Sequence, residues 1–127
     1  MTINVTEFAS ISIAAENFDA MLAFYSKGLD IPLKKEDAGE FEYYKGRIGN
    51  IDFSLIPNSI AKVKAKENRH QITFRVTSLK QVLSNLVGFG GKIETDAVDE
   101  GDRLAVHVRD PDGNSLEIFS YKKDIED

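Results

Sequence analysis

The sequence predicts an α+β fold: two strand–helix–strand–strand–strand modules packed together as one domain over residues 1–127. Three observations carry this. Several short segments alternate apolar and polar residues, the mark of strands with one face on a core. One segment in each half carries apolar residues at helical spacing, Phe18, Met21, Leu22 and Tyr25 in the first and Leu79, Val82, Leu83 and Leu86 in the second. The halves also overlay. Ser10 falls on Gln71, Ile11 on Ile72, Ile13 on Phe74, Met21 on Val82 and Leu22 on Leu83 at one offset. After a two-residue gap Phe53 falls on Leu116, Ser54 on Glu117 and Leu55 on Ile118. A single duplication is not a solenoid, which needs at least three stacked units.

In chain order, residues 8–14 form the first strand, with Ser10, Ser12 and Ala14 on one side and Ile11 and Ile13 on the other. Glu16, Asn17 and Asp19 supply cap-type residues for the first helix, widened by Phe24 and ended by Gly28. Residues 31–35 and 41–45 read as strands separated by a turn at Ala38-Gly39. Residues 51–56 form the next, with Ile51, Phe53 and Leu55 on one face and Asp52 and Ser54 on the other. Pro57-Asn58 stops it. The first module thus spans about residues 7–57, residues 58–69 form a linker, and the second module spans about residues 70–121. The linker's Lys62, Lys64, Lys66 and Arg69 are either a solvated connector or a basic lip that attracts an anion. In the second module residues 71–76 alternate, Ser78 caps the helix, and Gly88-Phe89-Gly90-Gly91 closes it. Residues 92–95 make a short strand, residues 97–102 an acidic loop, and residues 104–109 a strand. The turn Asp110-Pro111-Asp112-Gly113-Asn114 feeds the last strand, and residues 124–127 form a frayed polar tail.

The apolar sets Ile11/Ile13, Phe53/Leu55, Ile72/Phe74/Val76 and Leu116/Ile118 need the helices as a cover. A one-residue slip would expose all of them, so register is fixed by burial. The opposite face carries Ser10, Ser12, Ser54, Gln71, Thr73, Arg75 and Glu117. It is either a sheet face left in water or, if the sheet curls, the lining of a cup. If the turn pairs Val108 with Leu116, His107 stands opposite Glu117, with Cβ atoms about 4.5–5.5 Å apart. An imidazole beside a carboxylate is either a surface ion pair or a proton-transfer couple. His70, at a strand start after the basic loop, reads as an exposed end residue.

Bulk properties narrow the classes of function. The 127 residues carry a net charge of −5, which argues against nucleic acid or an anionic membrane as partner. With no cysteine, disulfides, thiolate metal sites and a cysteine nucleophile are excluded. The chain begins without the basic start and apolar run of a signal peptide, and no apolar stretch reaches the roughly 18 residues of a spanning helix. A cytoplasmic location is expected.

The chain resembles the vicinal-oxygen-chelate superfamily of glyoxalase I, the fosfomycin and bleomycin resistance proteins and extradiol dioxygenases. The resemblance runs from Ala9 to Tyr121. It rests on the Asp110-Pro111-Asp112-Gly113-Asn114 turn followed by Leu116-Glu117-Ile118, on Phe24-Tyr25 with Leu29 after the first strand, and on the His70-Gln71-Ile72-Thr73-Phe74-Arg75-Val76 strand running into the Leu79 helix. It implies a curled mixed sheet, a cup, with helices on the outer face. It also implies a divalent metal held by the first strand of each module and the last strand of one or both. Those positions here are Ser10, Ser54, Gln71 and Glu117, of which only Glu117 is a strong ligand. The expectation is therefore a metal-independent small-molecule-binding protein with no cofactor. Its ligand would meet Ser10, Ser12, Ser54, Gln71, Thr73, His107 and Glu117, with aromatic walls from Phe41, Tyr43 and Tyr44. The alternative is a glyoxalase-like lyase, isomerase or dioxygenase with Glu117 and His107 as catalytic residues, or with a divalent metal on Glu117 and Gln71. A third class is a pure interaction module. The family commonly pairs as homodimers, so a homodimer is expected.

Overall fold

The computed structural model describes residues 8–65 and 71–124. Lys66, Arg69 and His70 lie outside these. The strands form two mixed sheets, one for each module. The first runs in the order β1 (Ser10–Ala15), β4 (Ile51–Pro57), β3 (Glu42–Ile48), β2 (Lys34–Asp37). The second runs β5 (Ile72–Arg75), β9 (Ser115–Tyr121), β8 (Arg103–Arg109), β6 (Lys92–Ile93), and the two-residue β7 (Val98–Asp99) also pairs with β8. β1 lies parallel to β4, and β5 parallel to β9. The other pairings are antiparallel. The α+β architecture and the repeated module are as the sequence predicts. The strands are divided between two sheets, and no strand pairing joins them among the described residues.

Helix α1 (Phe18–Ala23) continues into a wider turn, Phe24–Gly28, in which Phe24, Tyr25 and Gly28 are all buried. The Leu29 N–H closes that turn on the Phe24 carbonyl at 2.9 Å. Helix α2 (Asn58–Ala61) is one turn at the start of the expected linker, and α3 (Leu79–Gly88) is the second module's helix. Neither Asn17 nor Ser78 makes the expected side-chain cap. The backbone N–H groups of Glu16 and Asn17 instead donate to the two carboxylate oxygens of Asp112, at 2.8 and 3.0 Å. In the linker the Asn58 side chain brackets Val63, accepting from its N–H at 2.8 Å and donating to its carbonyl at 3.1 Å.

One core serves both modules. Met21, Phe24, Tyr25, Phe53 and Leu55 of the first and Leu86, Val106, Val108, Leu116 and Ile118 of the second are each at most 1% exposed. Burying a side chain of this size is worth about 1.5–3 kcal/mol, so the apolar face of each sheet and the helices across it hold the two modules together. Gly91 permits the closest approach in this region: a Cβ there would stand 2.7 Å from Phe24 Cε2.

Two strands differ from the pattern-based reading. Ile31 and Leu33 are drawn into the core but lie ahead of the ladder, which begins at Lys34. β2 is wholly exposed and charged, as edge strands often are, so apolar alternation does not mark it. β7 arises inside the acidic loop, where Asp99 meets Lys122 Nζ at 2.8 Å. Asp124, expected in the frayed tail, closes a short 3₁₀ turn, Lys122–Asp124, and pairs with Arg75 at 2.5 Å. No described helix is long and apolar enough to cross a membrane.

The interaction that ties the modules is buried and polar. The Tyr25 hydroxyl donates to Asp110 Oδ2 at 2.7 Å, and Asp110 is 3% exposed. Asp110 also accepts from the N–H groups of Asp112 and Asn114, at 3.0 and 2.9 Å, and from Asn114 Nδ2 at 2.8 Å. Burial raises the Asp110 carboxyl above its ordinary range, opposed by the hydrogen bonds from Asn114 and Tyr25. Burial first, and Asp110 second, raise the Tyr25 phenol well above its usual value, which keeps it a donor.

Tyr25→Phe should therefore cost about 1–3 kcal/mol in urea unfolding at neutral pH, because a buried carboxylate loses a donor. The variant's Asp110 is raised further, so its folded form binds the proton more tightly than the unfolded chain does. Stability then rises as pH falls through that interval, and the deficit should shrink in mildly acidic buffer. A deficit that is equal at both pH values would show that Asp110 does not carry it.

Candidate functional site

Alternation on β9 places Leu116, Ile118 and Ser120 inward and Ser115, Glu117, Phe119 and Tyr121 on the opposite face. The turn sets the hairpin register, so Val108 meets Leu116 and His107 meets Glu117 across β8 and β9. On its other side Glu117 meets Thr73 of β5. Glu117 keeps 16% of its side chain exposed. Its Oε2 lies 3.7 Å from His107 Nε2, and its Oε1 lies 3.6 Å from Arg103 Nη2. Gln71, two residues before Thr73, donates from Nε2 to Ser115 Oγ at 2.9 Å and lies 3.4 Å from His107 Nδ1.

Thus Gln71, Thr73, His107 and Glu117 share one face of the second sheet. Ser10, Ser12 and Ser54 share the corresponding face of the first. Ser12 and Ser54 are cross-strand partners with Oγ atoms 2.8 Å apart, while Ser10 faces Asp52. The Ser12–Ser54 pair is the counterpart of Thr73–Glu117, as the overlay of the halves requires. No hydrogen bond or strand pairing among the described residues links the serine group to the Glu117 group. Of the three aromatic residues expected as walls, Tyr44 packs instead on Phe18 against the core, with ring centroids 5.9 Å apart. Tyr43 points the other way and stacks with Phe41 at 6.0 Å.

Sequence reasoning missed Arg103, Phe119 and Tyr121 on the Glu117 face. The Arg103 guanidinium sits 4.4 Å over the Phe119 ring, and that of Arg75 sits 4.8 Å over Tyr121. Such contacts are worth about 0.5–1 kcal/mol at exposed positions. The signal was present. Continuing the alternation two and four residues beyond Glu117 reaches Phe119 and Tyr121, and the His107–Glu117 register carries Arg103 to Tyr121.

As a metal site the donor set fits poorly. Its one carboxylate faces a guanidinium and an imidazole, its amide nitrogen is turned to Ser115, and its remaining members are hydroxyls. Among the described residues no three histidine or acidic side chains converge. What the face can do is donate and accept hydrogen bonds, and hold charge, around one half-buried carboxylate.

A profile of the Glyoxalase/Bleomycin resistance protein/Dioxygenase superfamily matches residues 7–118. The chain belongs to that superfamily. Among curated proteins none matches its sequence. Solved structures agree on the fold. A glyoxalase-related enzyme from Fulvimarina pelagi superposes with a TM-score of 0.76 at 16% identity, covering 91% of this chain and 88% of its own. A superfamily enzyme from Burkholderia phytofirmans PsJN gives 0.74 at 11% identity, covering 91% and 99%. A lactoylglutathione lyase from Agrobacterium tumefaciens gives 0.65 at 16% identity, covering 92% and 95%. At these identities the likeness is one of fold.

An ion pair 3.7 Å apart whose imidazole is well exposed contributes little to folding. A double-mutant cycle with His107→Ala and Glu117→Gln should therefore return a coupling below about 1 kcal/mol in urea unfolding. A coupling of several kcal/mol would make the pair a structural element.

Proposed function

We propose that this superfamily member binds a small molecule without a metal, holding it against the polar sheet faces around Glu117. The observation that supports this reading most is the setting of Glu117. It is a half-buried carboxylate with an imidazole, a guanidinium and a threonine around it, and among the described residues no group of three histidine or acidic side chains could hold a metal. Ligand recognition would rest on Gln71, Thr73, His107 and Glu117 of one sheet and Ser10, Ser12 and Ser54 of the other, with Phe119 as an apolar wall.

A second reading has one observation in its favour. His107 Nε2 and Glu117 Oε2 are 3.7 Å apart on an accessible face, which suits a proton-transfer couple in a lyase or isomerase. Glu117 would then act as base and His107 would assist. The binding reading includes a homodimer, since β1 and β5 each have a strand neighbour on one side only, and a second copy could complete a cup. It also places the protein in the cytoplasm, free of nucleic acid and membrane, in keeping with its acidity and lack of cysteine.

A thermal-shift screen of metabolite-like compounds should give at least one saturable ligand in chelator-treated protein. Glu117→Gln and Gln71→Ala should each weaken it tenfold or more, about 1.4 kcal/mol, without moving the unliganded melting temperature by more than a few degrees. Stoichiometric nickel, zinc, iron or manganese in protein purified without chelators would overturn the metal-independent reading. Turnover of a candidate substrate that Glu117→Gln abolishes would favour the enzyme. Sedimentation as a monomer would remove the shared cup.

A further inference from the structure

We infer that the polar face of the first sheet carries an oxyanion subsite, seating a carboxylate or phosphate group of the ligand between Lys34 and Lys45. The inference rests on the reading of this face as a binding surface and names the chemical class of what it binds.

Register supplies the observation. Lys34 of β2 is the cross-strand partner of Lys45 of β3, Lys45 is the partner of Ser54 of β4, and Ser54 is the partner of Ser12 of β1. Two lysines and two serines therefore stand in one transverse row across all four strands, on one face of the sheet. Like charges placed directly opposite on neighbouring strands are destabilising, and this pair sits at the sheet edge. An anion between them would turn the repulsion into two charge-assisted contacts.

The surrounding charges do not already satisfy the row. Asp52 lies 3.8 Å from Lys45 Nζ and is shared with Arg47 Nε at 3.6 Å. Lys34 makes no ion pair among the described residues. Its neighbour Lys35, on the other face of β2, is paired with Glu42 at 2.9 Å. Lys34, Lys45 and Arg47, with Glu36 and Asp52, line an open hollow of about 430 Å³. Three cations against two carboxylates make this a locally positive site on a chain of net charge −5. The hollow's floor is fixed by Gly46, where a Cβ would fall 2.1 Å from the Pro32 carbonyl oxygen. Beyond the hollow the row continues in the Ser54 and Ser12 hydroxyls, which are hydrogen-bonded to one another at 2.8 Å.

The test uses inorganic phosphate and acetate as probes, followed through lysine side-chain NMR signals of the whole chain. Saturable movement of the Lys34 and Lys45 signals, with Lys92 unmoved, supports the subsite. Response to phosphate alone assigns a phosphate, and response to both probes assigns an oxyanion in general. Lys45→Gln and Lys34→Gln should each weaken the response at least fivefold. Lys34→Gln should also raise the melting temperature in the absence of anion, since it relieves the repulsion. Linear, unsaturating shifts shared equally by Lys92 overturn the proposal. So does a screening ligand that Glu117→Gln weakens and Lys45→Gln leaves unchanged, an outcome that keeps the binding reading intact. Saturable phosphate binding in a protein that binds no screened compound would instead support the subsite and count against the wider reading.

Discussion

The hydrogen bond from Tyr25 to Asp110 is the constraint on which the rest of the structure depends. It joins the first module's helix to the turn of the second module's closing hairpin, 85 residues away in sequence. A carboxylate this deeply buried is costly unless its acceptors are filled. Here four donors fill them, three from the turn itself and one from Tyr25. The turn can be rigid because its own backbone satisfies Asp110, and Tyr25 is held at one depth because its hydroxyl must reach that carboxylate. Asp112 adds the second tie by accepting the N–H groups that lead into the same helix.

That constraint also reaches the polar face around Glu117. Asn114, which closes the turn on Asp110, stands immediately before Ser115, the first residue of β9. With the turn fixed, the register of β8 and β9 is fixed, and with it the meeting of His107 and Glu117. The apolar residues on either side of Glu117 enforce the same register from below, since Leu116 and Ile118 are 1% and 0% exposed. A slip of one residue would bury Glu117 and expose both. The polar face is thus held by the core beneath it and by the turn at its end.

How much of this was legible in the sequence follows from which signals are local. Alternation in β1, β4, β5 and β9 fixed their sidedness, and the spacing of Phe18, Met21, Leu22 and Tyr25 fixed a helix. The His107–Glu117 pairing needed only the turn. Edge strand β2 was misplaced because its residues are all exposed, and hydrophobic pattern carries no information where neither face is buried. The helix starts differ for another reason: Asn17 and Ser78 have cap chemistry but make no side-chain cap, and the chain entering α1 is held instead by Asp112, a long-range partner no local window contains. Tyr25 read as one more apolar residue in a stripe, since nothing local distinguishes a buried phenol that needs a partner from one that does not. Tyr44 was grouped with Tyr43 as a wall, although neighbours on a strand face opposite ways.

The two polar faces differ in a way that follows from the duplication. Ser54 and Glu117 hold equivalent places, as do Ser12 and Thr73. In the second sheet the central acid is answered by Arg103 and His107, and aromatic rings flank it. In the first sheet the central residue is a neutral serine, and the cations beside it, Lys34 and Lys45, face one another. With serine rather than an acid at its centre, the first sheet keeps positive charge to spare, while in the second the acid stands between a guanidinium and an imidazole. On the proposed reading, that asymmetry suits a ligand with its negative charge at one end and its apolar body at the other.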